Sequence, residues 1–133
     1  MKKNILIYDD DEEILFLCKA ILGKFGFIVE TLSRCENILN DIKSKQPHLI
    51  LMDLWIPEDG GEKAIATLKE NEATKNIHIL LFSANADIKE ICKKVNADGC
   101  IEKPFTVNTF IESIQRHTSQ TTFTISSLPG LQL

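Results

Sequence analysis

The chain has 133 residues and a net charge of −4, with 44% hydrophobic and 26% charged residues. That is enough chain for one domain with a sizeable core, and the acidic balance, with no long Lys/Arg run to offset it, argues against a general nucleic-acid binder. No apolar stretch approaches the ~20 residues of a membrane span, so neither nucleic acid nor membrane is an expected partner.

Met1-Lys2-Lys3 resembles the start of a signal peptide, but Asp9-Asp10-Asp11 cuts the apolar run off after five residues, short of the ~7–15 that such a signal needs. The four cysteines, Cys18, Cys35, Cys92 and Cys100, form no CxxC and no metal-ligand spacing. Cys18 lies on an apolar helical face, where a buried free thiol is expected. A cytoplasmic protein fits these features.

Asn4-Ile-Leu-Ile-Tyr8 reads as a short strand ending on acids. Ile14, Leu15, Leu17, Cys18, Ile21, Leu22 and Phe25 then repeat at a helical period. Asp10 or Asp11 is the cap of that helix, and Glu12 and Glu13 suit the positive end of its dipole. Phe27–Leu32 reads as a second strand, and Glu36 to Lys45 as a second helix that Pro47 stops. The run Leu49–Met52 is apolar throughout and ends on Asp53, which suits a strand buried on both faces. A loop with Pro57 and Gly60-Gly61 leads into a helix from Glu62 to about Asn71. Ile77–Phe82 is a fourth strand, and Ser83-Ala84-Asn85 stands at its carboxyl end. Ile88, Ile91, Cys92 and Val95 mark a fourth helix, Gly99–Glu102 a fifth strand, and Val107 to about His117 the last helix.

Strands and helices thus alternate five times, the pattern of an α/β protein: a five-stranded parallel sheet, right-handed crossovers, and helices on both faces. Residues 1–117 form this domain. From Thr118 to Leu133 the chain has no charged residue and is rich in Ser and Thr; it reads as a C-terminal tail or linker stub, with an added edge strand at Thr121–Ile125 as the other reading.

Asp9 and Asp10 follow the first strand, Asp53 the third, Ser83 the fourth and Lys103 the fifth. In a parallel sheet these ends share one edge, where ligands of such sheets collect. Two like charges about 4 Å apart cost roughly 4 kcal/mol at an effective dielectric near 20, so Asp9, Asp10 and Asp53 call for a cation. Hard oxygen ligands suit Mg²⁺, and a hydroxyl and an ammonium suit phosphate oxygens. The pocket is therefore suited to an acyl phosphate, with a carboxylate nucleophile, a metal, and donors for the developing charge.

Ile5-Leu-Ile-Tyr-Asp-Asp-Asp-Glu-Glu-Ile14, Met52-Asp-Leu-Trp-Ile-Pro57, Phe82-Ser-Ala84 and Glu102-Lys-Pro-Phe105 resemble the signatures of bacterial response-regulator receiver domains, over about residues 3–117. The resemblance implies a flavodoxin-like doubly wound sheet of order 2-1-3-4-5. It implies that Asp53 is the phosphoacceptor, receiving phosphoryl from a histidine kinase or histidine phosphotransfer protein. Asp10 and Asp53 would ligate Mg²⁺ with the backbone carbonyl of Trp55, Asp9 acting largely through water. Ser83 would bind a phosphoryl oxygen, Lys103 would pair with the phosphate, and the Lys103–Pro104 bond would be cis. Such a domain is not an enzyme beyond its own phosphotransfer and autodephosphorylation. Its output passes through the fourth helix, fifth strand and fifth helix, either to a separate downstream protein or to an output domain that the sequence lacks.

Three departures from the family pattern stand out. Cys100 replaces the aromatic residue three before the lysine, whose rotamer follows the hydroxyl residue. The loop after Pro57 reads Glu58-Asp59-Gly60-Gly61, so Gly61 matches but the acid is displaced. Trp55 and Asn85 occupy positions that modulate phosphate lifetime in this family, and the indole is expected to shield the acyl phosphate from water.

Other readings assign different roles. Asp9 and Asp11 also fit the nucleophile and acid of haloacid-dehalogenase-type Mg-dependent phosphatases, although Glu12-Glu13 breaks the usual continuation and Asp53 and Lys103 are left without a part. A receiver-like binding module working without phosphorylation would fit the missing aromatic. Asp11, Glu12 and Glu13 read as helix-start residues, Cys100 as a small buried strand residue, His48 and His78 as structural, and Lys89, Lys93 and Lys94 as a solvated face.

Overall fold

The computed structural model describes residues 2–57 and 60–118. In chain order the elements are β1 (Asn4–Tyr8), α1 (Glu12–Lys24), β2 (Ile28–Leu32), α2 (Ile38–Lys45), β3 (Leu49–Asp53), α3 (Gly60–Glu70), β4 (His78–Ser83), α4 (Ile88–Val95), β5 (Gly99–Glu102) and α5 (Val107–Thr118). The strands form one parallel sheet of order β2-β1-β3-β4-β5. This is the α/β sheet expected from the alternation and the family resemblance.

Side chains alternate between the faces of a strand, and here the alternation divides the core in two. Ile5 and Ile7, Leu49 and Leu51, Leu80 and Phe82, and Ile101 pack with Leu15, Cys18 and Leu22 of α1 and Phe110, Ile111 and Ile114 of α5. Leu6 and Tyr8, Ile50 and Met52, and Ile79 and Leu81 pack on the other face with α2, α3 and Ile88 of α4. The three central strands are thus sandwiched on both sides, which is why their sequences are apolar without interruption. The Tyr8 hydroxyl enters the second layer and donates to Asp41 Oδ2 of α2 at 2.7 Å.

Helix ends follow local chemistry. Asp11 caps α1, its carboxylate accepting from the N–H groups of Glu13 and Ile14. Asn37 caps α2 by accepting from Asn40 N–H, so this helix begins at Ile38, two residues later than the apolar spacing predicts. It ends at Gln46, in the left-handed region at φ 48°, directly before Pro47. α3 starts two residues earlier than expected, at Gly60, because the glycine pair forms the first turn and does not precede it. α5 runs one residue past His117, and the Thr118 hydroxyl donates back to the Ile114 carbonyl at 2.9 Å. The expected tail beyond Thr118, and Glu58-Asp59 with its displaced acid, lie outside the described residues.

Candidate functional site

Register places the carboxyl ends of the central strands side by side: Tyr8 pairs with Met52, Asp53 with Phe82, and Ser83 with Glu102. Asp9 is the first residue past β1 and Lys103 the first past β5. Backbone bonds hold the rim, Asp9 N–H donating to the Leu32 carbonyl and Lys103 N–H to the Ser83 carbonyl at 2.9 Å.

Asp9, Asp10 and Asp53 each offer a carboxylate oxygen, and these oxygens lie within 4.8 Å of one another. Asp9 and Asp53 are buried and Asp10 is exposed, so the group opens to solvent through Asp10. Lys103 is the cation among them: its Nζ donates to Asp9 Oδ2 at 2.6 Å and stands 3.8 Å from Asp53 Oδ1. The same ammonium lies 4.6 Å from the centre of the Phe82 ring, which in turn packs against Phe105 and Phe110. An apolar platform beneath the lysine restricts where its charge can go. Asp9 Oδ1 accepts from Asp11 N–H at 2.9 Å, so both oxygens of Asp9 are engaged.

Asp53 carries the electrostatic cost. Its carboxyl is pushed up to about 6, first by burial and then by the Asp9 charge, with Asp10 adding to the rise. Lys103 and a hydrogen bond from the Trp55 backbone N–H oppose it without cancelling it. Trp55 thus touches Asp53 through its main chain, while its indole is 70% exposed. Ser83 is buried, with its hydroxyl accepting from Asn85 N–H at 3.1 Å. The Lys103–Pro104 peptide is cis.

The loop after β3 is fixed by close approach. Gly61 N–H donates to the Leu54 carbonyl at 3.1 Å, and a Cβ on Gly61 would stand 2.7 Å from the Asp53 carbonyl oxygen and 2.9 Å from Leu54 Cα. Only glycine lets α3 begin this close to the Asp53 backbone.

Three carboxylates with one ammonium leave a negative surplus, and the oxygen-only donor set suits a hard divalent cation such as Mg²⁺. The sequence placed Asp9, Asp10, Asp53 and Lys103 in one site, and the structure brings them together. It overlooked Phe82, whose ring supports Lys103; a strand-core phenylalanine carries no separate signal of that role. Asp11 is turned to capping α1, away from the acid's part that the phosphatase reading gives it.

The fold and this acidic rim define a doubly wound α/β domain with a carboxylate cluster at the carboxyl ends of its strands, and sequence comparison gives its family. The pattern of the response regulator receiver domain matches residues 5–115, and the chain belongs to that family. It is 31% identical over 121 residues to the polar-differentiation response regulator DivK of Brucella ovis, covering 88% of this chain and 97% of that protein. Among solved structures, the chemotaxis response regulator CheY4 of Vibrio cholerae superposes with a TM-score of 0.80 at 24% identity, covering 88% of this chain and 99% of the other. The receiver domain of a signal transduction histidine kinase from Syntrophus aciditrophicus gives 0.79 at 22% identity, covering 98% of both chains. These two structures share the fold. Among the described residues no helix is long and apolar enough to cross a membrane.

Proposed function

We propose that this receiver accepts a phosphoryl group on Asp53 from a histidine kinase or histidine phosphotransfer protein and signals through α4, β5 and α5 to a separate protein or output domain. The observation that carries the reading is the state of Asp53: buried, held up to about 6, and 3.8 Å from Lys103. A carboxylate so placed is destabilised as a free anion; converting it to an acyl phosphate moves the charge outward onto phosphoryl oxygens, where Lys103 and a metal cation can meet it.

One carboxylate oxygen of Asp53 attacks phosphorus; the P–N bond of the donor phosphohistidine breaks and the acyl phosphate forms. Lys103, bonded to Asp9 beforehand, lies within reach of oxygens added to Asp53 and neutralises them. Ser83, at the adjacent strand end, turns its hydroxyl from Asn85 N–H to a phosphoryl oxygen. Asp10 and Asp53 would hold Mg²⁺ with the Trp55 backbone carbonyl, and Asp9 through water. The ion's contribution is neutralisation of the charge shared between acceptor and phosphoryl.

Incubation with Mg²⁺ and acetyl phosphate or beryllofluoride tests this. A stoichiometric adduct on the native chain that Asp53→Asn abolishes is the expected result. Turnover of a phosphate ester that depends on Asp9 and Asp11, with Asp53→Asn active, would overturn it in favour of a phosphatase.

A further inference from the structure

Cys100 lies on the β5 face opposite Ile101, in register with Leu81 of β4. It packs against the same apolar layer as Cys92 of α4. Cys100 is a close enough neighbour across the seam between helix and strand to perturb the Cys92 thiol, which donates to the Ala97 carbonyl at 3.7 Å. Both are half-buried, whereas Cys18 and Cys35 are sealed in the core. A pair of facing thiols, partly open to solvent, is a different object from either core cysteine.

The helix that carries Cys92 is weakly anchored. α4 has eight residues, Ile88 is its one fully buried side chain, and Asp87 makes no side-chain cap bond. Its freedom depends on the partial packing of Ile91, Cys92 and Val95. A covalent tie at its last turn would restrict it far more than a similar tie would restrict α1, with three buried residues and a capped start.

We propose that Cys92 and Cys100 are a modification site, a dithiol that hydrogen peroxide or a related hydroperoxide oxidises to a disulfide clasping α4 to β5. One thiolate sulfur attacks the O–O bond, which breaks to give a sulfenic acid and, with a proton, one water from hydrogen peroxide or one alcohol from a hydroperoxide. The second sulfur then attacks the first: the S–S bond forms, the S–OH bond breaks, and hydroxide leaves with the second thiol's proton as another water. Two electrons pass from the sulfur pair to the peroxide, and a dithiol reductant returns them by exchange. Burial first, then Cys100, holds the Cys92 thiol above its ordinary range, so the clasp closes faster in alkaline solution. Neither sulfur takes part in the Asp53 site, so this chemistry stands or falls independently of phosphorylation.

The test uses the full chain, reduced and then exposed to hydrogen peroxide, with N-ethylmaleimide trapping under denaturing conditions. Of the four cysteines, two are expected to be labelled after oxidation and all four after dithiothreitol. Non-reducing peptide maps should join Cys92 to Cys100. Cys92→Ser and Cys100→Ser should each abolish the link; should either fail to fold, the wild-type map decides. Amide exchange across 88–95 should slow in the oxidised chain. Four labelled thiols, a link between other cysteines or between two chains, a single over-oxidised cysteine, or unchanged exchange in α4 would overturn the proposal.

Discussion

At the amino-terminal edge of the sheet, polar groups come in matched sets. His48 Nδ1 accepts from Asn4 N–H at 2.9 Å, Asp98 Oδ2 accepts from Ile79 N–H at 2.8 Å and from Lys69 Nζ at 3.0 Å, and the Nδ1 atoms of His78 and His117 face each other at 3.2 Å. At the carboxyl-terminal edge, Asp9, Asp10 and Asp53 cluster, and Lys103 pairs with Asp9 and Asp53. Every buried side-chain nitrogen or oxygen among the described residues has a hydrogen-bond partner, so this second edge is not short of hydrogen bonds. It is short of positive charge. A cleft of about 620 Å³ opens at the opposite edge, lined by Asn4, Leu39, Lys43, His48 and Asn71 among others. The amino-terminal edge thus has room with its polar groups matched, whereas the carboxyl-terminal edge carries a surplus of negative charge that a metal cation would settle.

Lys103→Met should break the contrast most severely. With Asp9 and Asp53 left buried beside each other, the metal-free protein is expected to lose about 3–5 kcal/mol, read by urea denaturation at pH 7, and Mg²⁺ should restore part of it. A loss below about 1 kcal/mol would mean that the edge tolerates its surplus.

Next comes pH. The Asp53 carboxyl is held at about 6 against its ordinary 3.8, so between those values the folded chain keeps a proton that the unfolded chain has released. Stability therefore falls as pH rises from about 4 to about 6, and stays lower above, by up to about 3 kcal/mol from this group. Denaturation midpoints in EDTA, wild type minus Asp53→Asn, should show that slope, and Mg²⁺ should flatten it. A flat difference without metal would remove the case for a strained acceptor.

Gly61→Ala sharpens the same edge through sterics. Its Cβ would meet the Asp53 carbonyl oxygen at 2.7 Å, and the displaced loop should cost about 1–3 kcal/mol together with slower phosphorylation by acetyl phosphate. Asp98→Ala is the counterpart on the matched edge. Losing its bonds to Ile79 N–H and Lys69 should cost about 1–2 kcal/mol and leave the extent of phosphorylation unchanged. Smallest is Trp55→Asn. With the indole 70% exposed, stability should stay within about 0.5 kcal/mol while the phosphorylated half-life shortens; an unchanged half-life would sink the shielding role.

Much of this was legible in the sequence because buried parallel strands have a plain signature. Asn4–Tyr8, Leu49–Met52 and Ile77–Phe82 are apolar runs closed by polar residues, and order alone then sends Asp9, Asp53, Ser83 and Lys103 to one edge. Helix starts were less legible. Asn37 outcompetes Glu36 because its short side chain reaches the Asn40 N–H, and Gly60-Gly61 reads as a breaker although its backbone makes the first turn of α3. The facing of Cys92 and Cys100 was not visible, since it depends on how α4 settles on β5. Cys100, expected to be a buried strand residue, is half-buried for the same reason. The matched edge was largely silent too: Asp98 sits in a loop, and nothing in its neighbours announces the Ile79 N–H it satisfies.

Tyr8 has a consequence for optics. It is the chain's one tyrosine, fully enclosed, with its phenol bonded to Asp41. Burial, then that hydrogen bond and the Asp41 charge, push its ionisation well above the usual tyrosine range. The near-ultraviolet band of phenolate can therefore arise only from chains in which β1 and α2 have come apart. In an alkaline titration, colour would count opened molecules one by one, with no dye or label attached.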